Sequence, residues 1–297
     1  TLSGSGKYTV TRNWTNAGAF SGSSTVVFGL SETASITPGG AAFYKVELNK
    51  TGIGANVGLL GAMQINSDLK FTGAGNHLQL GNYNLTMGAA ATTTSSSSSK
   101  YVITGASGKL LKINAGAATF LFPVGYDAAT YNPLTVTNSA TATSFGVRCL
   151  ANPLSGGSSG TGLSTHVVGA AWEVTQVSAG VPSLSLTAQW ALTDELLAFN
   201  RSACAIRRFN GTVWESSPSG AATGTGPYTR SRSGINAVGY FAVLDNLASF
   251  GGTEDRGAES ATPLPSAALQ AQQTLQLFPN PAEPSARGRR PGTSPYP

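Results

Sequence analysis

Apolar residues in the first 118 positions come in short alternating bursts, not at a helical spacing. Lys7–Thr11, Ser24–Phe28 and Phe43–Leu48 alternate apolar with polar side chains, the period of a strand with one buried face. Shorter apolar groups follow at Val57–Leu60, Met63–Ile65, Leu69–Phe71, Leu78–Leu80, Leu85–Met87, Tyr101–Ile103 and Leu110–Ile113, with Gly, Asn or Ser between nearly every pair. No segment carries a capped 3.6-residue apolar period, so no helix is predicted here. Phe28, Leu48 and Ile65 recur at intervals of 20 and 17 residues. That spacing predicts a parallel β-solenoid whose rungs stack on one another, with a sandwich or meander as the alternative.

The texture changes at Thr119–Gly125, where the strand pattern turns aromatic. Further strands are predicted at Leu134–Thr137, Phe145–Leu150, Ala171–Val177, Ser183–Trp190, Ala203–Arg208, Thr212–Glu215 and Gly239–Leu244. Six or seven strands with turns between them predict an antiparallel β-sandwich of Ig-like size. Trp172, Trp190 and Trp214 are predicted core anchors, with a sugar-stacking platform as the alternative. Ala89–Ser99, a run of Ala, Thr and Ser, is predicted to be a solvated loop. Glycosylation, or a ladder facing ice or sugar, is the functional reading of that run. Residues 247–274, with Gly251-Gly252, a Glu254–Glu259 charge cluster, Pro263 and Pro265, are predicted to be a linker. The expected organisation is all-β: a solenoid over 1–118, a sandwich over 119–246, the linker, and a tail over 275–297.

Composition supports β-structure and narrows the function classes. Only 10% of the 297 residues are charged and 37 are Gly, a surface suited to an extracellular β-protein. The net charge of +5 falls to 15 cations against 12 acids without the last fifteen residues. Arg207-Arg208 alone makes no basic stripe, so nucleic-acid binding is not predicted. No apolar run reaches membrane-spanning length. No leader is visible, and the chain reads as a mature or cut product.

Candidate chemistry is sparse. Cys149 and Cys204 are either one disulfide closing a long loop or two buried thiols; spacing does not decide between them. His77 and His166 are isolated, and no cofactor or metal set is predicted. Gly4–Lys7 and Gly105–Lys109 lack the Ser or Thr and the helix of a phosphate loop. Asp194-Glu195 reads as a turn or an ion pair with Arg201 and Arg207, since adjacent strand residues face opposite ways. A polysaccharide lyase or hydrolase would need clustered acids, yet residues 1–118 hold only Glu32, Glu47 and Asp68. Five Asn-x-Ser/Thr sequons, at Asn13, Asn49, Asn84, Asn200 and Asn210, are expected by chance in so Asn/Thr-rich a chain.

Three stretches carry a resemblance. Asn13–Phe20 with Thr25–Phe28, and then Phe43–Gly52, resemble repeat units of large Bacteroidota surface proteins. Phe120–Gly125, Tyr131–Leu134, Trp172–Thr175, Leu186–Trp190, Asp194-Glu195, Phe199–Ser202, Phe209–Trp214 and Gly224–Thr229 are similar to motifs of secreted Bacteroidota β-proteins. Leu275, Leu277, Phe278, Pro279, Asn280 and Pro281 resemble the start of a type IX secretion C-terminal sorting domain. Only fifteen residues follow Ala282, so residues 275–297 read as a truncated remnant of that domain. The resemblance implies a non-enzymatic, adhesin-like or structural protein at the cell surface or outside it, delivered by the type IX machinery. The alternatives are a filament subunit that self-associates through β-edges or solenoid ends, and a glycan-binding module or lyase on a β-helix.

Overall fold

The chain winds between two parallel sheets, leaving and re-entering each at every rung. In the computed structural model, residues 3–18, 20–52, 54–113, 117–139 and 144–248 are described; the predicted linker beyond Ala248 and the sorting motif at Leu275–Pro281 lie outside them. One sheet takes β1 (Lys7–Val10), β3 (Thr25–Phe28), β5 (Ala42–Leu48), β7 (Met63–Phe71), β9 (Leu85–Met87) and β12 (Leu110–Lys112). The other takes β2 (Trp14–Thr15), β4 (Ala34–Thr37), β6 (Val57–Leu59), β8 (His77–Gln79), β11 (Tyr101–Ile103) and β14 (Val124–Gly125). The described residues are therefore all-β, with a solenoid of about five turns. Successive rungs are offset by 18 residues at the start, where Lys7 lies beside Thr25, and by 25 at the end, where Leu85 lies beside Leu110.

Parallel in-register stacking sorts the inward side chains into columns. Phe28 lies beside Leu48, as the sequence spacing predicts, but Leu48 lies beside Phe71 and not Ile65. A bulge between Phe43 and Lys45 shifts the register of β7. Ile65 joins a second column instead, running Phe43, Ile65, Met87, Lys112 and Phe145. Ala34, Val57, Leu78, Val102 and Val124 form the facing column of the other sheet. These residues are at most 7% exposed, so the solenoid core is continuous along its axis.

The solenoid does not end at a loop. β12 pairs in parallel with β9 on one edge and antiparallel with β16 (Phe145–Ala151) on the other. The sheet then runs on antiparallel through β17 (Val167–Gln176), β21 (Gly239–Asp245) and β19 (Cys204–Phe209), giving eleven strands with the short β10 (Thr92–Thr94) beside β7. A four-stranded antiparallel sheet, β13 (Ala118–Phe122), β15 (Leu134–Asn138), β18 (Leu184–Trp190) and β20 (Tyr228–Ile235), shares the buried cluster. β14 lies within this second half of the chain yet closes the solenoid's smaller sheet beside β11. Trp172 and Trp190 are fully buried and Trp214 is 4% exposed, each indole N–H donating to a protein oxygen (Asn132, Glu195 and Leu154). They are core anchors, not sugar platforms. No described helix is long and apolar enough to cross a membrane.

One predicted loop and one predicted strand resolve differently. Thr92–Thr94, inside the predicted solvated run, is a strand beside Asp68–Lys70. Thr92 and Thr94 hydroxyls donate to the Asp68 carboxylate at 2.9–3.1 Å, tying this strand to the rung before it. Thr212–Glu215, predicted as a strand, contributes only an isolated bridge between Phe209 and Trp214.

Corners of the solenoid are held by side chains that replace the ladder. Asn13, Asn56 and Asn84 each accept a backbone N–H from the next rung, at Ser35, His77 and Lys109, over 2.9–3.1 Å. Lys50, fully buried, donates to the carbonyls of Thr11 and Gly29 at 3.0 and 2.7 Å, tying one corner of three rungs together. Gly73 sits on that corner because a Cβ there would lie 2.1 Å from the Lys50 carbonyl oxygen. Lys112, 6% exposed, donates to the carbonyls of Gly88, Ala89 and Ala91 at 2.6–2.8 Å, where the strand breaks between β9 and β10. Burial pushes both lysines below the ordinary value of 10.5.

Lys112→Met would fill the same column but remove the lysine's three hydrogen bonds to carbonyls, one of which, at Gly88, also accepts from Ala91 N, with an expected loss of about 3 kcal/mol. For a chain of this size that lowers the thermal midpoint by roughly 6–12 °C in calorimetry. A midpoint within ~1 °C of wild type would refute the role. The unfolded chain holds the Lys112 proton at a higher pH than the folded one, so this group adds stability as pH rises toward 10.5. The gap between wild type and Lys112→Met is therefore expected to widen over that window.

Candidate binding site

Sequence-marked residues mostly serve structure. Tyr8, Trp14, Phe20 and Phe43, drawn from the first resemblance motif and its neighbours, form one aromatic cluster over the first rungs. Trp14, Phe20 and Phe43 have ring centres 5.3–5.5 Å apart, and Tyr8 lies 6.5 Å from Phe20. Four of the five sequon asparagines, Asn13, Asn84, Asn200 and Asn210, accept backbone N–H bonds at corners or turns. The pattern is turn chemistry, in which Asn mimics a backbone carbonyl.

The titratable candidates are also engaged. His166 meets a carboxylate the local sequence does not show: Asp245, 79 residues away, at 3.0 Å. Asp245 is fully buried and also accepts N–H bonds from Asn200 and Leu247 at 2.7 and 2.8 Å. It staples three segments of the antiparallel half. His77 packs edge-on against Tyr101 at 4.3 Å and bonds Asn56; burial lowers its pKa, partly offset by Asp127. Glu195 pairs bidentately with Arg201 at 2.6 and 2.7 Å, as the predicted ion pair requires, while Arg207 turns to the Asp245 carbonyl. Arg208 and Arg232 share the single carboxylate of Glu215, so one of the two positive charges is compensated there. Among the described residues no group of three His, Cys, Asp or Glu could hold a metal ion.

Cys149 and Cys204 are free and buried. They lie on β16 and β19, with β17 and β21 between them. Three interstrand steps alone put them at least about 14 Å apart, beyond the roughly 7 Å that a disulfide spans, and the residue level with Cys149 on β19 is Arg208, not Cys204. Burial raises both thiol pKa values, Cys149 the more strongly.

One cleft of about 500 Å³ gathers four loops that are distant in sequence. It is lined by Ser98, Ala129, Tyr131, Gln189, the Ala191–Asp194 turn, Gly226 and Pro227. Gln189 comes from the solvent-facing side of β18, whose inward partner Trp190 fixes the strand in the core. Asp194 ends a short 3₁₀ turn, and its Oδ2 accepts from Asn132 Nδ2 at 2.7 Å and Ala191 N at 2.8 Å. Tyr131 stacks at 5.1 Å on Tyr101, whose hydroxyl donates to the Asp127 carbonyl at 2.8 Å. Burial raises the pKa of Tyr131, so the phenol stays protonated at neutral pH. Tyr131, Gln189, Asp194 and Gly226-Pro227 each come from a different motif of the second resemblance. Sequence reasoning marked those motifs without seeing that they converge. A second, more open cleft of about 480 Å³ lies by Arg208, Phe209 and Tyr240, with its cation already held by Glu215.

In native protein, both thiols are expected to resist Ellman's reagent, and two are expected to react after denaturation without reductant. Fewer than two in the denatured chain would reveal a disulfide and overturn the arrangement. Comparison with protein-family models, with curated proteins and with solved structures finds no match.

Proposed function

We propose that this chain is a non-enzymatic extracellular protein of a Bacteroidota bacterium, structural or adhesive in role and carried outward as type IX secretion cargo. In this reading the antiparallel half is an Ig-like module fused to the solenoid. The observation that carries the mechanical part is the uninterrupted run of ten paired strands from β1 to β19. A sheet whose buried columns cross from parallel to antiparallel pairing without a hinge suits a stiff spacer that displays a surface. The route is supported by the likeness of Leu275–Pro281 to the start of a sorting domain. The non-enzymatic reading is supported by the use of Asp245, Glu195 and Glu215 in internal pairing.

Expression in a Bacteroidota host with an intact type IX system tests the location. Full chain is expected on the surface or in the medium, and a variant lacking residues 275–297 is expected to stay in the periplasm. Equal retention of both would remove the proposed route. Incubation of the purified protein with uronate and neutral polysaccharides should release no new reducing ends or unsaturated products.

A further inference from the structure

We propose that the cleft at Tyr131, Gln189 and Asp194 binds one or two rings of a neutral, hydroxyl-rich saccharide. The inference supplies a ligand class for the adhesive reading and rests on that reading only for its biological setting. Its volume of about 500 Å³ falls within the range of small-molecule sites, about 300–1,000 Å³. Its walls offer the two kinds of surface that a sugar ring presents. Tyr131, Leu192 and Pro227 give apolar surface for the C–H face of a ring. Ser98, Gln189, Thr193 and Asp194 give hydrogen-bonding groups for its hydroxyls.

The polarity of those groups selects among ligands. Ser, Thr and Gln side chains each both donate and accept, matching a sugar hydroxyl, which also does both. An ammonium group only donates and would leave the donors of Ser98, Thr193 and Gln189 unmatched. A phosphate, sulfate or uronate would face Asp194 in a lining that carries one carboxylate and no cation, a like-charge arrangement that rejects anions. The other cleft, lined by Ser158, Ser159, Asn210, Phe209 and Tyr240, also carries Arg208, a cation that would admit the acidic sugars Asp194 turns away.

The site is also built in advance. Tyr131 is backed by Tyr101, which is in turn fixed by His77 and by the Asp127 carbonyl. Asp194 is oriented through Oδ2 by two donors of its own chain. The backbone that carries Gln189 is fixed by pairing with Thr229 and by the Gln189 backbone N–H donating to the Pro133 carbonyl at 3.1 Å. Groups held this way lose little freedom on binding, which is how a small cleft reaches useful affinity.

The test uses purified full-length chain on an array of mono- to tetrasaccharides of glucose, galactose, mannose and N-acetylglucosamine, beside sialylated, sulfated and uronate glycans and a lysine-rich peptide. Retention of at least one neutral glycan, confirmed by calorimetric titration, is expected, without retention of the acidic ones. Gln189→Ala is expected to weaken that binding about tenfold, or 1.4 kcal/mol, with an unchanged thermal midpoint. Tyr131→Ala should abolish it and Tyr131→Phe should largely preserve it. Failure to retain any neutral glycan at millimolar concentration overturns the inference. So does preference for acidic glycans or the peptide, or binding that ignores both Gln189→Ala and Tyr131→Ala. A chain exported to the surface that retains no sugar would lose this inference and keep the location.

Discussion

Every corner of a solenoid takes backbone amides and carbonyls out of the ladder, and in this molecule they must find partners inside the protein. A buried carbonyl without a donor costs about 1–3 kcal/mol, and a stack of rungs repeats that demand at each turn. The chain meets it with two side-chain types. Asparagines supply acceptors to the first N–H of the next rung, at Ser35, His77 and Lys109. Two buried lysines supply donors where carbonyls cluster. Lysine suits the task because its ammonium presents three donors on a stem long enough to cross between rungs. Its desolvation is offset by those carbonyl dipoles, and the lowered pKa values record the remaining cost.

The same constraint explains how a parallel stack passes into an antiparallel half. Lys112 occupies an inward column between Met87 and Phe145, the first belonging to a parallel neighbour and the second to an antiparallel one. Two residues earlier in register the column is wholly apolar, with Leu85, Leu110, Val147 and Val174 side by side. Strand direction changes there while the burial of side chains does not. β14 is the last strand of the smaller sheet, but β12, with β16 paired to it, has no free edge. This removes from the junction the exposed strand edge that would otherwise invite pairing with another chain.

Legibility in the sequence follows from locality. The alternation in Phe43–Leu48 and the neighbourhood of Phe28 and Leu48 needed only the period of a strand and a rung length. The step to Phe71 needed the bulge in β7, and with Ile65 and Phe71 both apolar the residue types could not choose between them. β20 was not predicted because Arg230 and Arg232 interrupt its pattern; those arginines reach the carbonyls of Pro218, Ala221 and Ile206 to hold the adjoining loop. β10 was hidden because its threonines read as low complexity until Asp68 is placed beside them. Trp172, Trp190 and Trp214 were legible because their size leaves few exposed alternatives on a strand. The His166–Asp245 contact was not, since nothing local relates two residues from opposite ends of the antiparallel half.

The cleft is the extreme case of the same rule. Each of its walls is a turn whose local reason for existing is structural: Asp194 caps a 3₁₀ turn, Ser98 sits in a hairpin closed by Ser97 and Lys100, and Tyr131 backs onto Tyr101. A sequence can announce such turns but not that they face one another. What brings them together is β14, which sends the chain back into the solenoid and places Asp127–Tyr131 between the solenoid hairpin and the turn after β18. Had the two halves been joined by a linker, these loops would share no wall. The re-entrant strand that ends the solenoid's smaller sheet therefore also assembles a concave, mixed-polarity surface on which a saccharide ring would fit.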